Sequence, residues 1–233
     1  MNTHAIILDT ETHDLHGLPI QIAYMPCDLS QGVLAVDQNA VFDQLFSIPV
    51  RINYASMAVH HIIESDLINK PEYTLFRLPK DTAYIIGHNI DYDIAAIAKC
   101  GINTQTLKPI CTLALARKAF PDAPKHNLAA LSYFLSEDHV KTREILKNAH
   151  DAKTDILITS VILEKIIEKL GIQSIEQLYQ ASEIALNPTF IDFGKYKGTA
   201  LANLPVDYVR WLQRENNNQR LLAALKKLHG ERS

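Results

Sequence analysis

Two carboxylates one residue apart, Asp9 and Glu11, close the apolar run Ala5-Ile6-Ile7-Leu8 in the stretch AIILDTETHDL. Side chains at i and i+2 of a strand leave the same face, so the pair would project together from the strand's carboxyl edge. Carboxylates this close repel each other unless solvent or a cation lies between them. A solvated turn meets that requirement, and so does a divalent metal ion. A second set stands in IGHNIDYDIAAI, where Asp91 and Asp93 lie near the start of a helix after the turn His88-Asn89. An acid there either caps the helix or serves as a ligand. A third set, AHDAKTDI, puts His150 five residues before Asp155 at the entry to a long helix. If the helix begins after His150, the imidazole hangs beside the Asp155 carboxylate. The plainer alternative is a capping Asp151 with Lys153 and Asp155 on a wet face.

The elements that must hold these groups are legible in outline. Apolar runs predict strands at 5–8 and 19–24, with further extended segments at 33–41 and 42–48, giving a meander of three strands. Short helical turns are expected at 58–63 and 65–67, a strand at 82–87 and a helix from Asp93 to Lys99. A strand at 107–112 feeds a helix at 113–119, and helical spacing recurs at 127–134 and 152–170. Strands first, then strands alternating with helices, indicate an α/β domain around a mixed sheet. The texture changes after Gly171: residues 173–188 are expected to be a connector that ends at Asn187-Pro188, and 189–233 a small C-terminal module.

Composition narrows the function classes. The 233 residues are 47% apolar, enough for a large core, and carry a net charge of −3, so no overall basic field advertises nucleic acid. A local basic patch remains compatible with such a partner. Cys27, Cys100 and Cys111 are odd in number and lack CxxC spacing. A disulfide scaffold is therefore not expected, and a cytoplasmic location is. The N-terminal MNTHAIILDTE has neither a basic region nor a long apolar one, so it does not read as a signal peptide, and no membrane partner is expected.

Taken in order, the three sets spell D-x-E, H-N-x-x-x-D and H-x-x-x-x-D. This pattern resembles the DEDD exonuclease superfamily in its histidine-containing, DnaQ-like subclass. The likeness extends to AVHHI at 58–62, CTLALAR at 111–117 and HNLAAL at 126–131, and so covers essentially the whole chain. The tail, FGKYKGTALANLPVDYVRWL, is similar to the C-terminal segment of a DNA-degrading branch. The resemblance implies a ribonuclease H-like mixed β-sheet flanked by helices over residues 1–172. It also implies 3′-5′ removal of nucleotides from DNA, single-stranded or at the 3′ ends of duplex, in DNA repair.

On that resemblance Asp9, Glu11, Asp93 and Asp155 are the metal ligands. Phosphodiester cleavage of this kind uses two ions roughly 3.5–4 Å apart, and hard carboxylate oxygens suit Mg2+ or Mn2+. Asp9 would bridge the ions, Glu11 and Asp155 would complete the water-activating one, and His150 would be the general base. Thr10, Thr12, Leu15, His60 and Asn89 are the expected substrate contacts in this half, and His61 accompanies His60. The sequence departs from the pattern in three places: Asp14 stands where a glycine is common, Asp91 adds an acid near Asp93, and Asp151 follows His150. His139 is a second, more distant candidate base. RNA is the alternative substrate, and a polymerase-associated proofreading subunit the alternative role.

The tail has its own argument. In FGKYKG, Lys195 and Lys197 at i and i+2 fall on one face and, with Phe193 and Tyr196, offer charge and flat surface to a nucleic-acid strand. Plain solvation of the two lysines fits the sequence equally. Leu201, Leu204, Tyr208, Trp211 and Leu212 fall at near-helical spacing and are expected to form the module's core.

Overall fold

The computed structural model describes residues 5–191, 193–216 and 218–230. They divide into two compact units, Met1–Ser182 and Glu183–Ser233.

In the first unit, β1 (Ala5–Thr12) is buried on both faces along Ala5–Leu8. An uninterrupted apolar run is what a strand covered on both sides requires. Asp9 and Glu11 belong to this strand, beyond its fully buried portion. β2 (Pro19–Ser30) returns antiparallel to it with Glu11 opposite Gln21. β3 (Val33–Val36) and β4 (Phe42–Leu45) both pair with β2, the former at Cys27–Ser30 and the latter at Gln21–Tyr24. The extended segment expected at 33–41 is thus broken. Asp37 accepts the Asn39 amide and caps a 3₁₀ turn at Gln38–Ala40.

β5 (Tyr84–Gly87) lies parallel to β1 on its other side, and β6 (Lys108–Cys111) lies parallel to β5. The sheet order is β3-β2-β1-β5-β6, with β4 also on β2. Because β1 and β5 are parallel, their carboxyl ends open at one edge, where α/β sheets place ligand sites.

The helices of this unit are α1 (Tyr54–His60), α2 (Asp91–Ala98), α3 (Thr112–Ala119), α4 (Leu128–Leu135), α5 (His139–Leu146) and α6 (Ala152–Leu170), and α7 (Ile175–Leu186) runs past the unit's last residue, Ser182. α6 buries Ile156, Leu163, Ile166 and Ile167 along β1 and β2, and α3 and α4 pack on α6. α1 starts four residues before the expected 58, because Asn53 accepts the Ala55 amide and caps it. α5 was not expected; Asp138 caps it through the Lys141 amide at 3.0 Å. All three cysteines are buried and unpaired. Among the described residues no helix is long and apolar enough to cross a membrane.

In the second unit, α8 (Val206–Glu215) and α9 (Gln219–His229) close over Leu201 and Leu204 with Val209, Leu212, Leu221 and Leu225. Trp211 is not part of that core, against expectation, being 44% exposed. Val209 and Leu212, three apart, already fill the inward stripe, and Trp211 lies about 100° off it. Lys195 and Lys197 are exposed in a turn, so the strand rule that put them on one face does not apply.

Candidate active site

Glycine at the end of β5 decides how near α2 can come to β1. A Cβ on Gly87 would lie 2.9 Å from the Leu8 carbonyl and 2.7 Å from Ile90 Cδ1. Without one, the turn His88-Asn89 reverses the chain, with Asn89 left-handed at φ 74°. Asp93 then arrives in the first turn of α2, beside β1. It is not the helix cap, a position held by Ile90. Its carboxylate accepts the Thr10 hydroxyl at 2.8 Å, a bond between two buried groups.

The start of α6 is anchored from β2. Gln21, buried inside the apolar strand PIQIAY, donates its amide to Asp151 Oδ1 at 2.8 Å and to Asp43 at 3.0 Å. Its carbonyl accepts the Ala152 amide at 3.2 Å. Asp151 caps α6 through the Thr154 amide and hydroxyl, both at 3.0 Å. One buried side chain therefore fixes the helix start between His150, left-handed at φ 67°, and Asp155 one turn on.

The result is a cleft of about 260 Å³ lined by Asp9, Thr10, Glu11, Asn89, Asp93, His150 and Asp155, together with His88, Tyr92 and Asn127–Ala129. Ligand atoms of Glu11, His150 and Asp155 all lie within 4.8 Å of one another. Asp155 Oδ1 is buried with no hydrogen-bond partner among the described residues. Thr12, Leu15 and His60 do not line the cleft. The Thr12 hydroxyl bonds the Asp14 carbonyl at 2.7 Å and pairs with the Tyr92 hydroxyl. Leu15 stands 74% exposed on the turn beyond β1. His60 is buried at the end of α1, and its Nδ1 accepts the Ile62 amide at 3.0 Å. Its Nε2 has no partner among the described residues. His139 packs edge-on against Tyr133 at 5.8 Å and is not among the cleft residues. Lys195 and Lys197 belong to the second unit.

The electrostatics of the four acids point one way. Burial holds Asp9 well above the ordinary carboxylate range, reinforced by Asp93, Glu11 and Asp155. Glu11 is pushed up to about 9 by burial and then by Asp155 and Asp93. Burial raises Asp93 to about 7 against the pull of the Thr10 hydrogen bonds, and Asp155 to about 6 against the attraction of His150. Four acids crowded so that each resists ionisation, one with an orphaned buried oxygen, suit a cation of high charge and hard-oxygen preference. The donor set fits a divalent ion.

Sequence reasoning missed Gln21, His88 and Tyr92. A lone amide inside an apolar strand is the signal that would have found Gln21, since a buried polar group must be satisfied. His88 donates Nε2–H to the His126 carbonyl at 2.7 Å and sets Nδ1 3.0 Å from the Thr112 hydroxyl. Burial lowers its pKa to about 4, so the ring is a neutral strut between the β5 turn, α3 and the loop before α4.

Comparison with known proteins follows the same lines. Exodeoxyribonuclease 10 of Escherichia coli K12 is 28% identical over 212 residues, covering 88% of this chain and 89% of that protein. The 3′-5′ exonuclease DinG of Staphylococcus epidermidis is 29% identical over 167 residues, covering 65% of this chain; the match spans only 18% of DinG. Among solved structures, exonuclease X in complex with 5′ overhanging duplex DNA superposes with a TM-score of 0.53 at 24% identity, covering 76% of this chain and 99% of that one. An Escherichia coli ExoI–ssDNA complex gives 0.58 at 16% identity, covering 79% of this chain and 45% of that one. Residues 181–226 match a family described as putative quorum-sensing-regulated virulence factor. The chain shares its mixed sheet with these nucleases, and along nearly its whole length it is similar to exodeoxyribonuclease 10, a likeness that supports a DnaQ-like 3′-5′ exonuclease.

Proposed function

We propose that the chain hydrolyses DNA from its 3′ end to nucleoside 5′-monophosphates with two divalent ions, Mg2+ or Mn2+, and serves in DNA repair. The observation that carries this reading is the convergence of Asp9, Glu11, Asp93, His150 and Asp155, from three distant stretches, on one cleft. The name of the matched exodeoxyribonuclease supports DNA as the substrate.

Asp9, Glu11, Asp93 and Asp155 would hold the ions. Bound there, such ions neutralise charge building on the phosphate and lower the pKa of water. Thr10 fixes the Asp93 carboxylate, and so sets which oxygen faces the cleft. His150, exposed and beside Glu11 and Asp155, accepts the proton of the attacking water on a ring nitrogen. Burial lowers the pKa of His60, whose Nδ1 accepts the Ile62 amide, and the segment that carries it is proposed to face the terminal nucleotide. Asn89 at the cleft wall, with Thr12 and Leu15 on the strand end and turn beyond it, are the other contacts proposed for that nucleotide.

Digestion of 3′- and 5′-labelled single-stranded and duplex DNA, with matched RNA, tests the reading. Mononucleotides should appear from the 3′ end with Mg2+ or Mn2+ and vanish with EDTA. Release from the 5′ end, or faster cleavage of RNA than of DNA, overturns it.

Gln21→Leu removes the two bonds that hold the start of α6, and a third to Asp43, while keeping the side chain's bulk. A shift of about 1 Å at a reacting group costs up to about a hundredfold in rate, so kcat should fall about ten- to a hundredfold with the chain still folded. Steady-state kinetics beside a thermal melt check this; an unchanged kcat would show that α6 holds its place without Gln21.

A further inference from the structure

We propose that the second unit carries its own binding platform for single-stranded nucleic acid. Trp211, Tyr208 and Tyr196 form it, with Lys195 and Lys197 as its charged edge. None of these residues belongs to the acidic cleft, so the platform goes beyond the hydrolytic reading.

Three rings lie in contact, with Tyr208 tilted 54° against Tyr196 and stacked on Trp211. Tyr196 and Tyr208 have centroids 4.6 Å apart, and Tyr208 and Trp211 lie 5.4 Å apart and 21° from parallel. The core of the unit closes without Trp211, whose indole stays 44% exposed. Tyrosine and tryptophan, flat and amphipathic, are the side chains on which bases stack. The turn before α8 is shaped to reach these rings. A Cβ on Gly194, which is left-handed at φ 64°, would lie 3.1 Å from the Tyr208 hydroxyl, so only glycine lets the FGKYKG turn pass there without strain. Lys195 Nζ then sits 5.4 Å from the Tyr196 ring centroid. Lys195 and Lys197 are exposed, and among the described residues neither has a carboxylate partner, whereas Arg210 is taken by Asp207 at 3.8 Å.

Charge distribution selects the ligand. Residues 183–233 contain eight Lys and Arg against five Asp and Glu, a net of +3, while the whole chain is −3. The first unit is therefore −6, and a polyanion gains nothing from its overall field. A separate basic unit supplies the phosphate attraction that the acidic one lacks. The exposed indole, backed by two half-buried tyrosines that rest on the core, asks for unstacked bases, which a single strand offers and a duplex does not.

Trp211 is the only tryptophan in the chain, so indole emission reports on this position alone. An oligothymidylate titrated into the full chain in EDTA, where nothing is cut, should quench that emission saturably. An abasic oligonucleotide of the same length should leave it unchanged. Followed by anisotropy of a labelled oligonucleotide, Trp211→Ala should bind on the order of tenfold more weakly, and Trp211→Phe close to wild type. Lys195→Gln with Lys197→Gln should flatten the log–log salt dependence by about 0.7 per lost phosphate contact. The platform is overturned if the oligonucleotide fails to bind, or binds with unchanged emission. Equal affinity of Trp211→Ala, or equal quenching by polyglutamate, overturns it too. Failure of the hydrolytic reading is seen separately, as absence of released nucleotides with Mg2+.

Discussion

Asp9→Asn and Asp155→Asn should each keep the fold and lose at least about a thousandfold in hydrolysis with Mg2+, since ion-borne charge stabilisation is worth several kcal/mol of barrier. Both side chains are held by burial in a cluster of like charge, and removing one charge relieves its neighbours. The metal-free variants should therefore melt no lower than wild type, and above pH 7 they should melt higher. A carboxyl whose pKa is raised by folding holds its proton more tightly in the native state. Its contribution to stability is complete below the unfolded value near 4 and is lost as pH climbs through the folded value. Those folded values are about 6 for Asp155, 7 for Asp93 and 9 for Glu11. Metal-free wild type should thus melt at falling temperature between about pH 5 and 9. Mg2+ at pH 8 should raise its melting point and leave that of the variants nearly unmoved. Calorimetry across pH, beside a nuclease assay, decides: full activity in either variant, or melting indifferent to pH, contradicts a metal-holding cluster.

The acids and His150 were legible because each sits where local sequence marks an element's edge. An apolar run gives way to acids at β1, a glycine ends β5, and an aspartate opens α6. Those marks are short-range, and so survive without knowledge of packing. What was not legible depends on partners far away in the chain. Gln21 finds Asp151 and Ala152 some 130 residues on. Asp93, inside the first turn of α2, is bound by the hydroxyl of Thr10, 83 residues back. α5 escaped notice because HVKTREIL buries only Thr142 and so shows no apolar stripe. Trp211 was misplaced for the opposite reason. Its spacing from Leu204 and Tyr208 is near-helical, but Val209 and Leu212 had already taken the inward stripe.

His150→Ala tests whether the imidazole handles a proton or holds an ion. Its ring stands within 4.8 Å of ligand atoms of Glu11 and Asp155, a geometry that serves either role. Two features of the chain favour proton transfer. Its position is exposed, just outside α6 in a left-handed turn, where a ring can swing between water and bulk solvent. The cluster also already offers four carboxylates, which hard ions prefer to nitrogen. As the base, its loss should cost about 10²–10⁴-fold in kcat, with Mg2+ still raising the melting point as in wild type. Raising the pH should recover part of the rate in the variant, because hydroxide replaces the missing acceptor. As a ligand, its loss should instead weaken the Mg2+-dependent rise in melting temperature, and high pH should restore nothing. A variant with wild-type kcat removes His150 from the chemistry altogether, and neither His139 nor His88 is placed to inherit the role. His139 is committed to Tyr133 outside the cleft, and His88, drawn down to about 4, is tied to the His126 carbonyl.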